Sequence, residues 1–239
     1  PVSPVLIEGV LRALAAGQPG TTRFALRCGD ETFLGATPER LLRKRGRELS
    51  TEALAGSLPS GAAGGGAALL ARPKDRAEHA LVVSALRERL APLCERISCP
   101  DQPEVRALRQ ILHLRTPVRG LLREDVHPFD LIAALHPTPA VGGLPRAAAE
   151  RWIVAEEPAP RGLYAGPVGH CDAAGDADFM VGIRSALVQP DVAHVYGGAG
   201  IMGDSDAEDE YHETALKQEA LLGALRIAAQ VIHRDAGTS

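Results

Sequence analysis

Apolar residues recur at helical spacing through residues 5–16 (VLIEGVLRALAA) and stop at Gly17, which predicts an opening helix. The period then shortens. Residues 24–28 and 32–36 read as strands on either side of the polar Gly29-Asp30-Glu31, a hairpin signal. Residues 41–44 and 48–54 repeat the arrangement about Gly46. The pattern predicts a β-meander behind a leading helix.

Residues 60–67 (SGAAGGGA) read as a mobile surface loop, with a flap over a site as the functional alternative. Phosphate binding of the GxGxxG type lacks its strand–turn–helix context there. Pro73 opens a long helix that runs to about Leu93. Residues 103–113 read as another helix, and residues 114–146 as irregular and proline-rich with a short helix at 128–135. Pro145 opens a helix through Val154. Residues 179–188 and 192–196 read as paired strands joined at Gln189-Pro190-Asp191. Ser205-Asp206-Ala207-Glu208 matches a capping box before a final helix that reaches about His233. No repeat or linker divides the chain, so residues 1–239 read as one domain of mixed α+β class.

Composition narrows the function. At 239 residues a full core can form. With 45% hydrophobic residues, 23% charged residues and a net charge of -4, there is no basic excess, and nucleic acid is an unsuited partner. No apolar run approaches the ~18 residues of a membrane helix. The four cysteines (Cys28, Cys94, Cys99, Cys171) form no CxxC pair, which suits free thiols in a reducing cytoplasm.

Several side chains suggest chemistry. Glu78 shares a helix face with Leu81, Val82 and Ala85, where a carboxylate is costly unless paired or coordinated. Glu210, Glu213 and Lys217 fall on one face of the last helix. Mg²⁺ commonly takes one or two protein carboxylates besides waters and substrate oxygens. His212-Glu213 is not an HExxH zinc site. Arg184, flanked on its strand face by Gly182 and Ala186, has room to bind a carboxylate bidentately. Gly198-Ala199-Gly200 offers positive φ and exposed amides to an anion, and the 137–146 segment is similar, with Pro145 starting a helix. Glu39 suits a general acid if burial raises its pKa, and His113 suits hydrogen bonding to a departing oxygen. Each has a plainer reading as well: a first-turn acid, a salt-bridged face, a structural ion pair, a tight turn, a surface turn residue, a satisfied core histidine.

The ordered segments GATPERLLR, LAGS, KDRAEH, HLRTPVRG, HPTPAVGGLPR, LYAGPVGHCD, IRSALV, GGAGI and EYHETALK together resemble the chorismate-binding catalytic domain. That family includes isochorismate synthases, anthranilate synthase component I, aminodeoxychorismate synthase and salicylate synthases. The resemblance spans nearly all of residues 20–230. HPTPAVGGLPR and YAGPVG look like the isochorismate synthase branch, not the amine-transferring one. It implies largely antiparallel central sheets flanked by helices, and Mg²⁺-dependent conversion of chorismate to isochorismate by water attack at C2 and loss of the C4 hydroxyl. It implies Glu39 as the general acid and His113 near the reacting ring. Glu78 and Glu213, with Glu210 nearby, become the Mg²⁺ ligands. Arg184, Gly198, Ala199, Gly200, Lys217 and Thr138 become substrate contacts. A monomer is expected, with a dimer as the alternative, feeding siderophore, menaquinone or salicylate synthesis.

The sequence departs from the family in places. The water-activating lysine of the family lies in an upstream Lys-Val-Val-Leu-(Ala/Ser)-Arg strand, a motif not found here. His170 replaces a common tryptophan, and the 60–67 glycines replace a more acidic run. The chain is therefore expected to be a C-terminal part of a longer protein, or a short variant whose base is absent or supplied elsewhere. The alternatives are a catalytically impaired chorismate-binding homologue and another chorismate enzyme of the amine-transferring or lyase kind.

Overall fold

A computed structural model describes residues 3–236 of the chain. The elements, in order, are α1 (Pro4–Gly17), β1 (Thr22–Cys28), β2 (Glu31–Thr37), β3 (Arg40–Arg45), β4 (Glu48–Pro59), α2 (Gly65–Ala71) and α3 (Pro73–Leu90). Then come β5 (Cys94–Ser98), β6 (Glu104–Ala107), β7 (Ile111–Leu122), α4 (Pro128–Leu135), α5 (Pro139–Gly142) and α6 (Arg146–Glu156). The chain continues through β8 (Pro167–Cys171), β9 (Ala177–Val181), β10 (Ser185–Val188), β11 (Ala193–Val195) and α7 (Ala207–Ala236).

The strands form two antiparallel sheets, as the mixed α+β class requires. The smaller runs β1–β2–β10–β11; the larger runs β5–β7–β4–β3–β9–β8, with β6 also on β7. Helices α1 and α7 cover the smaller sheet, packing Val10, Leu14, Leu221, Ala224 and Ala228 on Leu34, Ala36, Ala186 and Val188. On the larger sheet, α3 and α4 bring Val82, Leu86, Leu90, Leu131 and Leu135 onto Leu49, Ala53, Val118 and Phe179. Alternation along β4 sets this: Leu49, Thr51, Ala53 and Ala55 are buried, and the first, third and fourth join the α3 core.

Both early hairpins form where the pattern puts them, about Gly29 and Gly46, which have φ of 60° and 51°. Pro73 takes the first turn of α3.

Four expectations are corrected. Residues 103–113 are not a helix, and 114–122 are not irregular: they form β6 and the long β7, which pairs with β4 from Ile111 to Leu121. Leu112, Leu114, Thr116 and Val118 alternate at period two and are all buried, a strand signal that the helical reading passes over. Pro117 is tolerated in β7 because β6 pairs up to Arg115 and β5 begins at Arg119, so that edge is open between them. The run 179–188 is two strands in different sheets, not one. The glycine-rich 60–67 segment is in part the start of α2, whose Leu69 packs on Leu112 and Leu114. Finally, Asp206, not Ser205, caps α7: its Oδ1 accepts from the amides of Glu208 and Asp209 at 3.0 and 3.1 Å.

Candidate functional site

The chain changes sheets twice at one place. From β2 to β3 it crosses at Pro38-Glu39, and from β9 back to β10 it crosses at residues 182–184. The crossings are stitched together: the Val181 amide donates to the Glu39 carbonyl at 3.0 Å, and the Ala36 amide to the Arg184 carbonyl at 3.1 Å. Glu39 and Arg184 therefore sit where the sheets part, and their side chains line the cavity of about 100 Å³ that opens there.

Arg184 reaches this place by an uncommon backbone. Its φ is +52°, a left-handed conformation that costs a non-glycine residue energy and clusters at functional sites. It is not on a strand face, so the alternation argument for it fails. Gly35 makes room: a Cβ there would stand 2.7 Å from the Arg184 carbonyl oxygen. The guanidinium donates to His113 Nε2 at 3.1 Å and to the Lys217 carbonyl at 3.4 Å. Burial lowers its pKa to about 10, although Glu213, Tyr164 and Glu39 favour the charge. It remains a cation at neutral pH.

His113 is on β7, opposite a bulge in β4. The register slips between Ala55 and Ser57, and Gly56 takes φ +76°. Because Arg184 can only donate, His113 Nε2 is the acceptor and Nδ1 carries the proton. That proton faces the Gly56 carbonyl at 3.2 Å and Ser57 Oγ at 3.1 Å. Burial, then Arg184 and Lys217, push its pKa well below the usual imidazole value. His113 is thus a neutral histidine that holds Arg184.

Glu39 is 4% exposed. Thr138, at the start of α5, donates to its Oε1 at 3.4 Å. Burial raises its pKa to about 7, Glu52 adds to the rise, and Thr138, Lys217 and Arg184 oppose it. The expected condition for a general acid is met.

Two helices supply the opposite wall. Glu78, from α3, has its pKa raised to about 7 by burial and then by Glu213 of α7. Lys217 Nζ bridges Glu213 at 2.5 Å and the Gly198 carbonyl at 3.0 Å. Gly197 to Gly200 line the cavity, and none of them has positive φ. They are needed for close approach instead: a Cβ on Gly200 would overlap the Glu78 carboxylate, and one on Gly198 would stand 2.7 Å from the Tyr164 hydroxyl.

A divalent cation fits here. Glu78 and Glu213 are two carboxylates near enough to repel, and a cation relieves such repulsion. Glu210, expected near these two, lies three residues before Glu213 on α7. It is held by Lys74 at 2.6 Å and by the Ser205 hydroxyl at 2.6 Å. Among the described residues no three His, Cys, Asp or Glu side chains group as a metal cage. The candidate donor set is the pair Glu78 and Glu213.

Of the residues singled out in the sequence, Glu39, Glu78, His113, Arg184, Gly198, Ala199, Gly200 and Lys217 line one cavity, with Thr138 and Glu213 bonded to its lining. Sequence reasoning passed over Tyr164, Tyr196 and Arg161. The two tyrosine rings stack at 5.1 Å and Arg161 stands 5.8 Å over Tyr164. Tyr164 lay within a motif already noted, LYAGPVG.

The two sheets part at a cavity lined by buried Glu39 and Arg184 and, opposite them, by Glu78. Comparison with known proteins identifies the class of protein: residues 2–226 match a family described as chorismate binding enzyme. The chain belongs to that family. It is 46% identical over 207 residues to the salicylate biosynthesis isochorismate synthase of Pseudomonas aeruginosa, covering 84% of this chain and 44% of that protein. It is 38% identical over 227 residues to isochorismate synthase MenF of Bacillus subtilis, covering 93% of this chain and 48% of that protein. Among solved structures it is similar to MenF, the menaquinone-specific isochorismate synthase of Escherichia coli, with TM-score 0.83 and 34% identity over 91% of this chain and 51% of that one. The chain thus spans about half the length of the curated relatives it matches. No described helix is long and apolar enough to cross a membrane.

Proposed function

We propose that this site takes part in the Mg²⁺-dependent conversion of chorismate to isochorismate. The observation that carries the reading is the pairing across one cavity of a buried acid, Glu39, with a carboxylate pair, Glu78 and Glu213. Chorismate has two carboxylates and a C4 hydroxyl that must leave. Arg184 offers a guanidinium fork to one carboxylate, and His113 fixes that fork from behind. Glu39, protonated near neutrality, gives its proton to the leaving hydroxyl oxygen. Thr138 orients the acid. Glu78 and Glu213 would hold Mg²⁺, which when bound would neutralise the ring carboxylate and orient the substrate.

Removal of the water's proton needs a base. Each lysine of the chain is engaged by a carboxylate: Lys44 by Asp125, Lys74 by Glu210 and Lys217 by Glu213. The family resemblance implies a lysine of a Lys-Val-Val-Leu-(Ala/Ser)-Arg strand as that base, a motif not found among these residues. The same observation favours a second reading for these 239 residues on their own, chorismate and Mg²⁺ binding without appreciable turnover.

The test is incubation with chorismate and Mg²⁺, with and without ammonia, followed by chromatography, beside calorimetry of chorismate binding. Isochorismate supports the first reading. Mg²⁺-dependent binding without product supports the second. Aminated product, pyruvate release or no binding defeats both.

A further inference from the structure

Behind Glu39, on the face away from the cavity, lies an ion-pair network that the proposed reaction does not use. Glu52 of β4 is 8% exposed. Its Oε1 accepts from Arg106 Nη1 at 2.9 Å and its Oε2 from Arg115 Nε at 2.5 Å. Arg106 comes from β6, the strand that the sequence reading took for a helix.

This network grips the chain on both sides of Glu39. Arg106 Nη1 also donates to the carbonyl of Pro38 at 2.8 Å, and its Nη2 to the carbonyl of Gly20 at 2.7 Å. The Arg40 amide donates to Glu52 Oε1 at 3.4 Å. The peptide before Glu39 and the peptide after it are thus tied to one ion pair. Together with the Val181 amide donating to the Glu39 carbonyl and the Glu39 amide donating to the Thr37 hydroxyl, these ties hold the turn that aims the carboxyl.

We propose that Glu52 and Arg106 are positioning residues for Glu39, fixing its turn while keeping a second carboxylate behind it. The inference rests on the general-acid reading of Glu39. The charge of Glu52 favours the protonated form of Glu39, next in weight after burial. From the other elements around it, Thr138 on the α5 side, Lys217 on α7 and Arg184 at the second crossing act in the opposite sense, and the Tyr164 phenol stands nearby. Arg106 and Arg115 partly neutralise Glu52, so removing Glu52 and removing Arg106 must act on Glu39 with opposite signs. A structural role alone would give both variants the same sign.

The experiment reads the Glu39 carboxyl in the full chain without substrate, by ¹³C NMR of glutamate-labelled protein, with the signal assigned by Glu39→Gln. Glu52→Gln keeps an acceptor for the Arg40 amide and removes the charge. It should move the midpoint down by on the order of one pH unit, a tenfold change in the protonated-to-ionised ratio. Arg106→Met should move it up. Shifts in one direction for both variants, or none in either, overturn the proposal. If Glu52→Gln is too unstable to titrate, Arg106→Met decides alone, an upward shift supporting and any other result overturning. In an active protein Glu52→Gln should also move the alkaline limb of kcat downward and leave the KM for chorismate unchanged. A chain that neither converts nor binds chorismate defeats the functional reading, yet leaves the carboxyl titration to decide this one.

Discussion

Glu39 and Glu78 face the same cavity from opposite walls, and burial brings both to a pKa of about 7. Their neighbours differ. Glu39 has a hydroxyl, an arginine and a lysine on its cavity side, and a screened carboxylate behind it. Glu78 has a second carboxylate, Glu213, as its strongest charged neighbour. An acid alone among cations and dipoles keeps one proton to give. Two carboxylates together attract a cation. On the proposed reading the same raised pKa serves two kinds of chemistry, and the neighbours decide which.

The largest effect should separate the walls directly. Glu39→Gln removes the donated proton but keeps the shape and the Thr138 contact. Turnover of the active protein should fall by about 10²–10⁴-fold, while Mg²⁺ affinity measured by calorimetry stays as in the parent. A rate within a few-fold of the parent would remove Glu39 from the chemistry.

The same variant carries a stability prediction with a definite sign. Glu39 titrates at an ordinary 4.5 when unfolded and at about 7 when folded. Between those values the folded chain holds a proton that the unfolded chain has lost. Stability attributable to Glu39 is therefore full below pH 4.5 and falls as pH rises to 7. The total is at most about 3 kcal/mol. Glu39→Gln abolishes this term, so denaturant melts should show the variant gaining on the parent by up to that amount between pH 4 and pH 8. A pH-independent gap would mean that the carboxyl is ionised in the folded state.

On the metal wall, Glu213→Gln should weaken Mg²⁺ binding by on the order of tenfold, the equivalent of about 1.4 kcal/mol. It should also lower the Glu78 midpoint, since its charge raises that midpoint. Unchanged Mg²⁺ affinity would place the ion elsewhere. Glu210→Gln serves as the contrast. Lys74 and Ser205 hold that carboxylate, so its loss should cost stability at the start of α7 and change Mg²⁺ affinity little.

Residue type and order made much of this site legible. Glu39 follows a strand and a proline, Glu78 breaks an apolar helix face, and Glu213 stands one turn from Lys217. What the sequence hid was the sheet crossing. A run such as 179–188 reads as one strand because its apolar positions continue, and only tertiary pairing divides it between sheets at Arg184. The partners of His113 were hidden for a similar reason. Its role is set by Arg184 on one ring nitrogen and the Gly56 carbonyl on the other, contacts that span 71 and 57 residues of sequence. Glu210 and Glu213 are alike by helical spacing, and only the fold shows that Lys74, far away in sequence, pairs with the first while Lys217 pairs with the second. Local periodicity locates charged groups, and long-range pairing decides what each one meets.

The smallest effect tests the comparison most finely, within one loop. Gly198 and Gly200 are two residues apart on the cavity rim, and each is small because something occupies the place of its Cβ. At Gly200 that is a Glu78 carboxylate oxygen, and at Gly198 the Tyr164 hydroxyl. Gly200→Ala should push Glu78 aside and weaken Mg²⁺ binding a few-fold, with little change in chorismate binding measured without the ion. Gly198→Ala should do the reverse, because the side chain it displaces, Tyr164, lines the cavity and is not one of the proposed metal ligands. Gly203→Ala, with nothing within 4 Å of the added carbon, should change neither. Calorimetry on the three variants resolves the outcome. If both rim variants lose metal and substrate binding alike, the two walls act as one surface and the division between acid and cation sides fails.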